Sequence, residues 1–265
     1  MTSDQPSFIG RVRWKLANLL WPERLRPSKL VTRWRLRASE AEAIARWRNN
    51  GGEASGRPRP EARSQNGEDA LLWDVVGHRE NGFFVEAGAY DGYQFSVSYL
   101  FECAGWTGIL VEPLADRAAE CAERRKASRV VNAALSRPGA PATAALARDS
   151  VEWYSRLADE GGDTVPVTTL DSVLEGHTDG IDFVVLDLEG HEPAALEGFD
   201  LERWRPSVLL VEDGSVGREH GVRRYLEERG YVYVVSLAQN DLFIRRDETE
   251  LTRRLKPYWD DLGPV

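Results

Sequence analysis

The run Ile181-Asp182-Phe183-Val184-Val185-Leu186-Asp187-Leu188 is apolar almost throughout and too short for an ordinary helix. Without polar alternation it reads as a strand buried on both faces. Such a strand needs a layer above and a layer below, which parallel strands joined by helices supply. The chain from Ser64 onward follows that logic. Its pattern predicts a helix over Glu68–Val76 with Ser64 as a cap, a strand over Phe83–Glu86 and a helix over Gln94–Ala104. A strand over Gly108–Glu112, a helix over Asp116–Lys126 and a strand over Arg129–Leu135 follow. Arg137–Gly162 is less regular. A short strand at Val165–Val167 and a helix at Leu170–Leu174 precede the central run. A strand at Ser207–Glu212 and a charged helix at Arg218–Arg229 come after it. Tyr231–Ser236 and Asp241–Arg245 flank Leu237-Ala238-Gln239-Asn240 as an antiparallel hairpin. The expected fold is α/β: a doubly wound, mostly parallel sheet with a terminal antiparallel hairpin.

The 265 residues suit one domain with an extension. The net charge of −9 is unevenly spread: residues 1–63 hold fourteen Lys/Arg against six Asp/Glu. The remainder is strongly acidic, which opposes nucleic-acid binding through phosphate repulsion. The expected division is a basic helical arm and linker over 1–63, the main domain over 64–247 and a tail over 248–265. Pro22 and Pro27 break the arm, a second helix spans Ser28–Arg48, and Asn49–Arg63 is a linker. With Trp14, Trp21, Trp34 and Trp47 among its arginines, the arm has two readings. It lies on an anionic membrane surface, or it packs on the domain or on a second copy of the chain. Cys103 and Cys121 show neither metal-type spacing nor a disulfide framework. No apolar run is long enough to span a membrane, and Arg11, Arg13 and Lys15 interrupt any signal-peptide core. The expectation is a cytoplasmic protein with peripheral membrane contact left open.

Phe83-Phe84-Val85-Glu86-Ala87-Gly88-Ala89-Tyr90-Asp91-Gly92 is a strand, an acid and a glycine turn, and Gly108–Glu112 ends a second strand in another acid. Ligands of open α/β sheets bind beyond such strand ends. The dinucleotide spacing G-x-G-x-x-G is missing, and Asp91 would repel a pyrophosphate, which disfavours an NAD(P)-dependent oxidoreductase. A cofactor with ribose and adenine but no phosphate fits better. S-adenosylmethionine is one: Glu86 and Asp91 suit its cationic methionine end, and Glu112 suits the ribose hydroxyls.

Five ordered blocks carry a resemblance to a known family. They are Ser64-Gln65-Asn66-Gly67-Glu68-Asp69, Gly82–Gly92, Gly105-Trp106-Thr107-Gly108-Ile109-Leu110-Val111-Glu112-Pro113, Thr168-Thr169-Leu170-Asp171 and Ile181–Glu192. Over roughly residues 63–246 the chain resembles the FkbM family of S-adenosylmethionine-dependent methyltransferases. The resemblance implies a class I (Rossmann-like) methyltransferase fold acting on hydroxyls of sugars or natural products. It also implies that Glu86, Gly88 and Asp91, with Ala89 in the same turn, line the methionine moiety. Glu112 would meet the ribose and Asn132-Ala133 the adenine, while Ser64, Gln65 and Glu68 sit near the cofactor or close over it. Two positions depart from the family pattern: Glu86 stands where Asp is frequent, and Tyr90 where Asn is.

Asp187-Leu188-Glu189-Gly190-His191-Glu192 follows the most apolar strand and emerges at the same sheet edge. Methyl transfer to an alcohol requires removal of the hydroxyl proton, and a histidine can accept it near neutral pH. His191 is the expected general base, with Asp187 or Glu189 orienting it or the acceptor, and Asp187 also beside the cofactor. A divalent metal held by Asp187, Glu189, His191 and Glu212 is the less favoured alternative. Trp153 and Tyr154 read as core aromatics or as a stacking face for a sugar. The favoured activity is O-methylation of a sugar, glycolipid, polysaccharide or secondary metabolite. A non-catalytic methyltransferase-like interaction protein is the other alternative.

Overall fold

The computed structural model describes residues 29–148, 155–158, 162–215 and 220–260. Eleven strands are found there: β1 (Phe83–Ala87), β2 (Thr107–Val111), β3 (Arg129–Val131), β4 (Ala134–Leu135), β5 (Thr143–Arg148), β6 (Ser155–Ala158), β7 (Asp163–Thr168), β8 (Phe183–Leu186), β9 (Val208–Glu212), β10 (Tyr231–Leu237) and β11 (Asn240–Arg245). Seven of them form the main sheet in the order β10-β11-β9-β8-β1-β2-β3. β1 lies parallel to both β2 and β8, and β8 parallel to β9. β11 inserts antiparallel between β9 and β10. This is the doubly wound, mostly parallel sheet with an antiparallel C-terminal pair that the sequence pattern predicts.

Alternation along each strand sends side chains to opposite faces. Phe84 and Phe183 join one hydrophobic cluster, while Val85 and Val184 join the other. On the first face Phe101 is the hub, with ring centroids 4.8 Å from Phe183 and 4.9 Å from Trp106. Helices α1 (Lys29–Asn49), α2 (Glu68–Val76) and α3 (Tyr99–Cys103) lie on this face. The chain continues through α4 (Ala115–Arg124), α5 (Leu170–Val173), α6 (Glu192–Glu197), α7 (Leu201–Trp204), α8 (Gly221–Glu228) and α9 (Thr249–Asp260).

Both flanks of the main domain take part in this core. α1 buries Ala43, Ile44 and Trp47, and the Trp47 indole N–H donates to the Arg57 carbonyl at 3.1 Å. Leu251 and Leu255 of α9 are fully buried in the cluster that contains Val75 and Val76. The second arm helix and the start of the tail thus pack on the domain. Residues 1–28, including the expected first helix with Trp14 and Trp21, lie outside the described residues, as do Trp153 and Tyr154.

Four local expectations are corrected. The helix expected over Gln94–Ala104 is helical only over Tyr99–Cys103, because side-chain acceptors take the backbone N–H groups before it. Asp91 accepts from Tyr93 and Gln94, and Glu86 from Val97 and Ser98. The strand expected over Arg129–Leu135 breaks at Asn132-Ala133 into β3 and β4, which lie in different sheets. The irregular stretch after Arg137 contains β5 and β6, which complete a second, four-stranded sheet ordered β4-β7-β5-β6. Ser64 is not the N-cap of α2. That place is held by Gly67 at φ +91°, while Ser64 exchanges hydrogen bonds with Asp69 inside the first turn.

Candidate active site

The strand order reverses between β1 and β8, since β1 continues towards β2 and β8 towards β9. The crevice beyond those two strand ends is where an open α/β sheet binds ligands. Gly88 opens the turn after β1 at φ +85°, and the Gly88 and Ala89 N–H groups both donate to the Val111 carbonyl. A Cβ on Gly88 would sit 1.9 Å from the Asp187 carbonyl oxygen, so only glycine lets the turn close against the end of β8.

Glu112 links this turn to the second strand end. Its carboxylate accepts the Tyr90 N–H and the Leu114 N–H, each at 2.9 Å. Burial pushes its pKa up to about 7 against the pull of those two donors. Tyr90 itself stands at φ +49°, with the Arg117 guanidinium 4.6 Å from its ring centre. The Asn132 amide donates to the carbonyls of Glu112 and Pro113, which brings the exposed Asn132 and the buried Ala133 beside Glu112. The segments expected to meet ribose and adenine are therefore contiguous.

Glu86 and Asp91 differ from expectation. Both are buried, and both are engaged from within the protein. Glu86 accepts the Ser96 hydroxyl at 2.9 Å, the N–H groups of Val97 and Ser98, and the Ser98 hydroxyl. Asp91 accepts two backbone N–H groups and pairs with Arg124 at 2.7 Å. Satisfied this way, they shape the turn from below rather than present open oxygens to a ligand. Glu68 is similarly held, accepting from Asn66 and from the Asn240 amide at 3.0 Å, whereas Gln65 is exposed.

Beyond β8 the chain turns through Glu189 at φ +54° and Gly190 at φ +97°. Glu192, the first residue of α6, closes this turn by accepting the Leu188 N–H at 2.7 Å and the Gly190 N–H at 3.2 Å. The Glu189 N–H donates to Glu212 at the end of β9. Register places Leu186 opposite Val211, so Asp187 and Glu212 come next in line and their carboxyl groups hydrogen-bond. Burial raises both pKa values, Asp187 to about 6 and Glu212, amid the charges of Asp187, Glu189 and Glu192, to about 11. At neutral pH the pair holds one proton between its two carboxyl groups, with the larger upward shift on Glu212. His191 points elsewhere: its Nε2 lies 3.3 Å from the Ser136 hydroxyl. Burial and the nearby Arg137 lower its pKa below 6.5, so the ring is neutral at pH 7. Its orienting partner among the described residues is thus Ser136, at the end of β4, rather than Asp187 or Glu189. Ser136 and Asn240 escape the sequence reading, which offers only two ordinary polar residues beside strand ends.

The acid pair has a consequence for stability. The folded-state pKa of Glu212 lies above its ordinary 4.5, so the folded protein keeps a proton that the unfolded chain releases. Its stabilising contribution is complete below about pH 4.5 and erodes as pH rises towards 11. Glu212→Gln is expected to raise unfolding stability by about 1–3 kcal/mol at pH 8 and far less at pH 4.5. Urea unfolding at the two pH values measures it, and an equal shift at both would contradict the assignment.

Among the described residues no group of three or more His, Cys, Asp or Glu side chains is arranged to hold a metal ion. No helix among them is long and apolar enough to cross a membrane. A cavity of about 260 Å³, lined by Asp171, Glu197, Phe199 and Tyr225 among others, shares no residue with the groups above.

No curated protein matches the sequence. Among solved structures, a methyltransferase from Geobacter sulfurreducens is 12% identical with a TM-score of 0.42, covering 92% of this chain and 99% of its own. An O-methyltransferase from Bacillus cereus in complex with SAH is 14% identical with a TM-score of 0.35, covering 88% and 95%. Likenesses this loose bear on neither activity nor substrate. The Methyltransferase FkbM domain matches residues 86–233, from the acid of β1 to the middle of β10. That span is more than half of the chain and holds the glycine turn, Glu112 and the Asp187–Glu192 segment, and the chain belongs to the FkbM family of methyltransferases.

Proposed function

We propose that this chain is an S-adenosylmethionine-dependent O-methyltransferase whose acceptor is a hydroxyl of a sugar, glycolipid, polysaccharide or secondary metabolite. The observation that carries the reading is the junction of Gly88–Tyr90 with Glu112: a glycine turn and a strand-end carboxylate bonded together at the switch point. The donor set fits this cofactor. The strand-end carboxyl groups of Glu112 and Asp187 border the crevice, which suits a sulfonium and an ammonium and disfavours a pyrophosphate.

When bound, S-adenosylmethionine supplies an activated methyl group. The protein's part is orientation, desolvation and proton removal. The Glu112 carboxylate, with lone pairs left over from its two backbone donors, would accept the ribose hydroxyls, and Asn132 and Ala133 beside it would flank the adenine. Asp187, ionised above about pH 6, would give the crevice negative charge for the cationic end of the cofactor. His191, neutral at pH 7 and held by Ser136, accepts the acceptor hydroxyl's proton at a ring nitrogen. The neighbouring Asp187 and Glu189 supply acceptors for other hydroxyls of a polyol. The basic residues of segment 1–63 would favour an anionic membrane, which suits a glycolipid acceptor.

Transfer of a labelled methyl group to a glycan, lipid and small-molecule extract of the source cells, with mass spectrometry of the product, tests this. An O-methyl ether is the expected product. Label found only on nitrogen, carbon or a carboxyl ester would sink the acceptor class while leaving the cofactor intact.

A further inference from the structure

Arg125, the residue after α4, is 1% exposed and carries a charge into the packed interior. Its Nε donates to Glu102 at 2.9 Å, and its two Nη groups to the Gly92 carbonyl at 3.0 Å and to the hydroxyls of Ser96 and Ser98 at 3.1 and 2.8 Å. Both serines pass their own protons to Glu86, whose carboxylate lies 3.9 Å from the guanidinium. Next to it, Arg124 donates to the Asp91 carbonyl at 2.9 Å and pairs with the Asp91 carboxylate. Two successive arginines thus grip the chain on both sides of Gly92. That grip is close: a Cβ on Gly92 would sit 2.8 Å from Arg125 Cγ.

Such an arrangement is a poor way to gain stability. Burying a guanidinium and two carboxylates costs desolvation that well-packed apolar side chains of similar volume avoid. A planar guanidinium does something apolar packing cannot, by directing several N–H groups along fixed lines to chosen oxygens. Here those oxygens belong to Glu102 and to Gly92, Ser96 and Ser98 in the segment after Asp91, and the two serine hydroxyls relay the contact to Glu86 near the end of β1.

We propose that Arg125 is a positioning residue for cofactor binding: through Gly92, Ser96, Ser98 and Glu86 it fixes the backbone of the Gly88–Gly92 turn against which S-adenosylmethionine rests. The inference rests on the cofactor reading given under the proposed function. It also gives Glu86 a role in binding that needs no direct contact with the ligand.

The test is calorimetric titration of S-adenosylmethionine into the full chain. Arg125→Lys keeps the charge but not the fork, and is expected to raise Kd about 10- to 100-fold. Leu226→Ala, on the opposite face of the sheet, supplies a control for lost stability and should leave Kd within about twofold. Ser96→Ala/Ser98→Ala, which keeps the arginine and removes its relays to Glu86, should also weaken binding, and it serves if Arg125→Lys does not fold. A folded Arg125→Lys protein, or a folded serine double variant, that binds as the wild type does overturns the inference and leaves the cofactor reading standing. A wild-type protein that fails to bind S-adenosylmethionine overturns both.

Discussion

Gly88→Ala is expected to abolish the cofactor turn. The new methyl carbon would lie 1.9 Å from the Asp187 carbonyl oxygen, a backbone atom held by the pairing of β8 with β1. The φ of +85° adds its own cost for any residue with a Cβ. Overpacking of a tight site costs about 1–3 kcal/mol and a left-handed conformation about 1–2 kcal/mol, so a loss of about 3 kcal/mol or more is expected. Chemical denaturation measures that loss. Calorimetry on any folded fraction should find no binding of S-adenosylmethionine. A variant with wild-type stability and affinity would mean that the turn is not locked against β8.

His191→Ala should act on the chemistry and spare the fold. The ring sits at the start of α6, half-buried, with one hydroxyl partner, and its removal uncovers no large cavity. Loss of a general base lowers kcat by about 10²- to 10⁴-fold, with cofactor affinity unchanged. The pH profile gives a sharper reading. Burial and Arg137 hold the histidine pKa below 6.5, so the wild-type rate should fall only as pH drops beneath that value. Asp187, raised to about 6, titrates in the same range, and the acid limb therefore belongs to the two groups together. In His191→Ala the residual rate should lose the histidine's part of that dependence. Unchanged kcat and an unchanged acid limb would remove His191 from the mechanism and leave Asp187 as the proton acceptor.

Much of the main sheet is legible in the sequence because burial on both faces writes itself as short apolar runs. β1, β2, β8 and β9 all appear that way, and Gly88 and Glu112 mark their ends. β5 is not legible: Thr143–Arg148 has Leu146 as its one large apolar residue and belongs to a second sheet, so it lacks the central-strand signature. The helix expected after Gly92 fails for a more instructive reason. Residues 94–104 have a helical pattern, but Asp91 and Glu86 capture the backbone N–H groups at its start. Those interactions come from side chains several residues upstream, which periodicity does not register.

The site shows the same division. The resemblance assigns Glu112, Asn132 and Ala133 to one ligand, and the structure sets them side by side through the Asn132 amide. It assigns Glu86 a ligand, whereas the structure fills its oxygens with two serines and two backbone donors. Arg125 reads as one more charge in the surface-like run Arg124-Arg125-Lys126, and only packing shows that it points inward. The partner of His191 is likewise a matter of tertiary structure, because Ser136 lies 55 positions earlier in the chain.

The most direct measurement of the whole account is titration of the wild-type chain with S-adenosylmethionine and, separately, with NAD. The account predicts saturable binding of one S-adenosylmethionine per chain and no binding of NAD. A folded protein that binds NAD, or that binds neither, would contradict it.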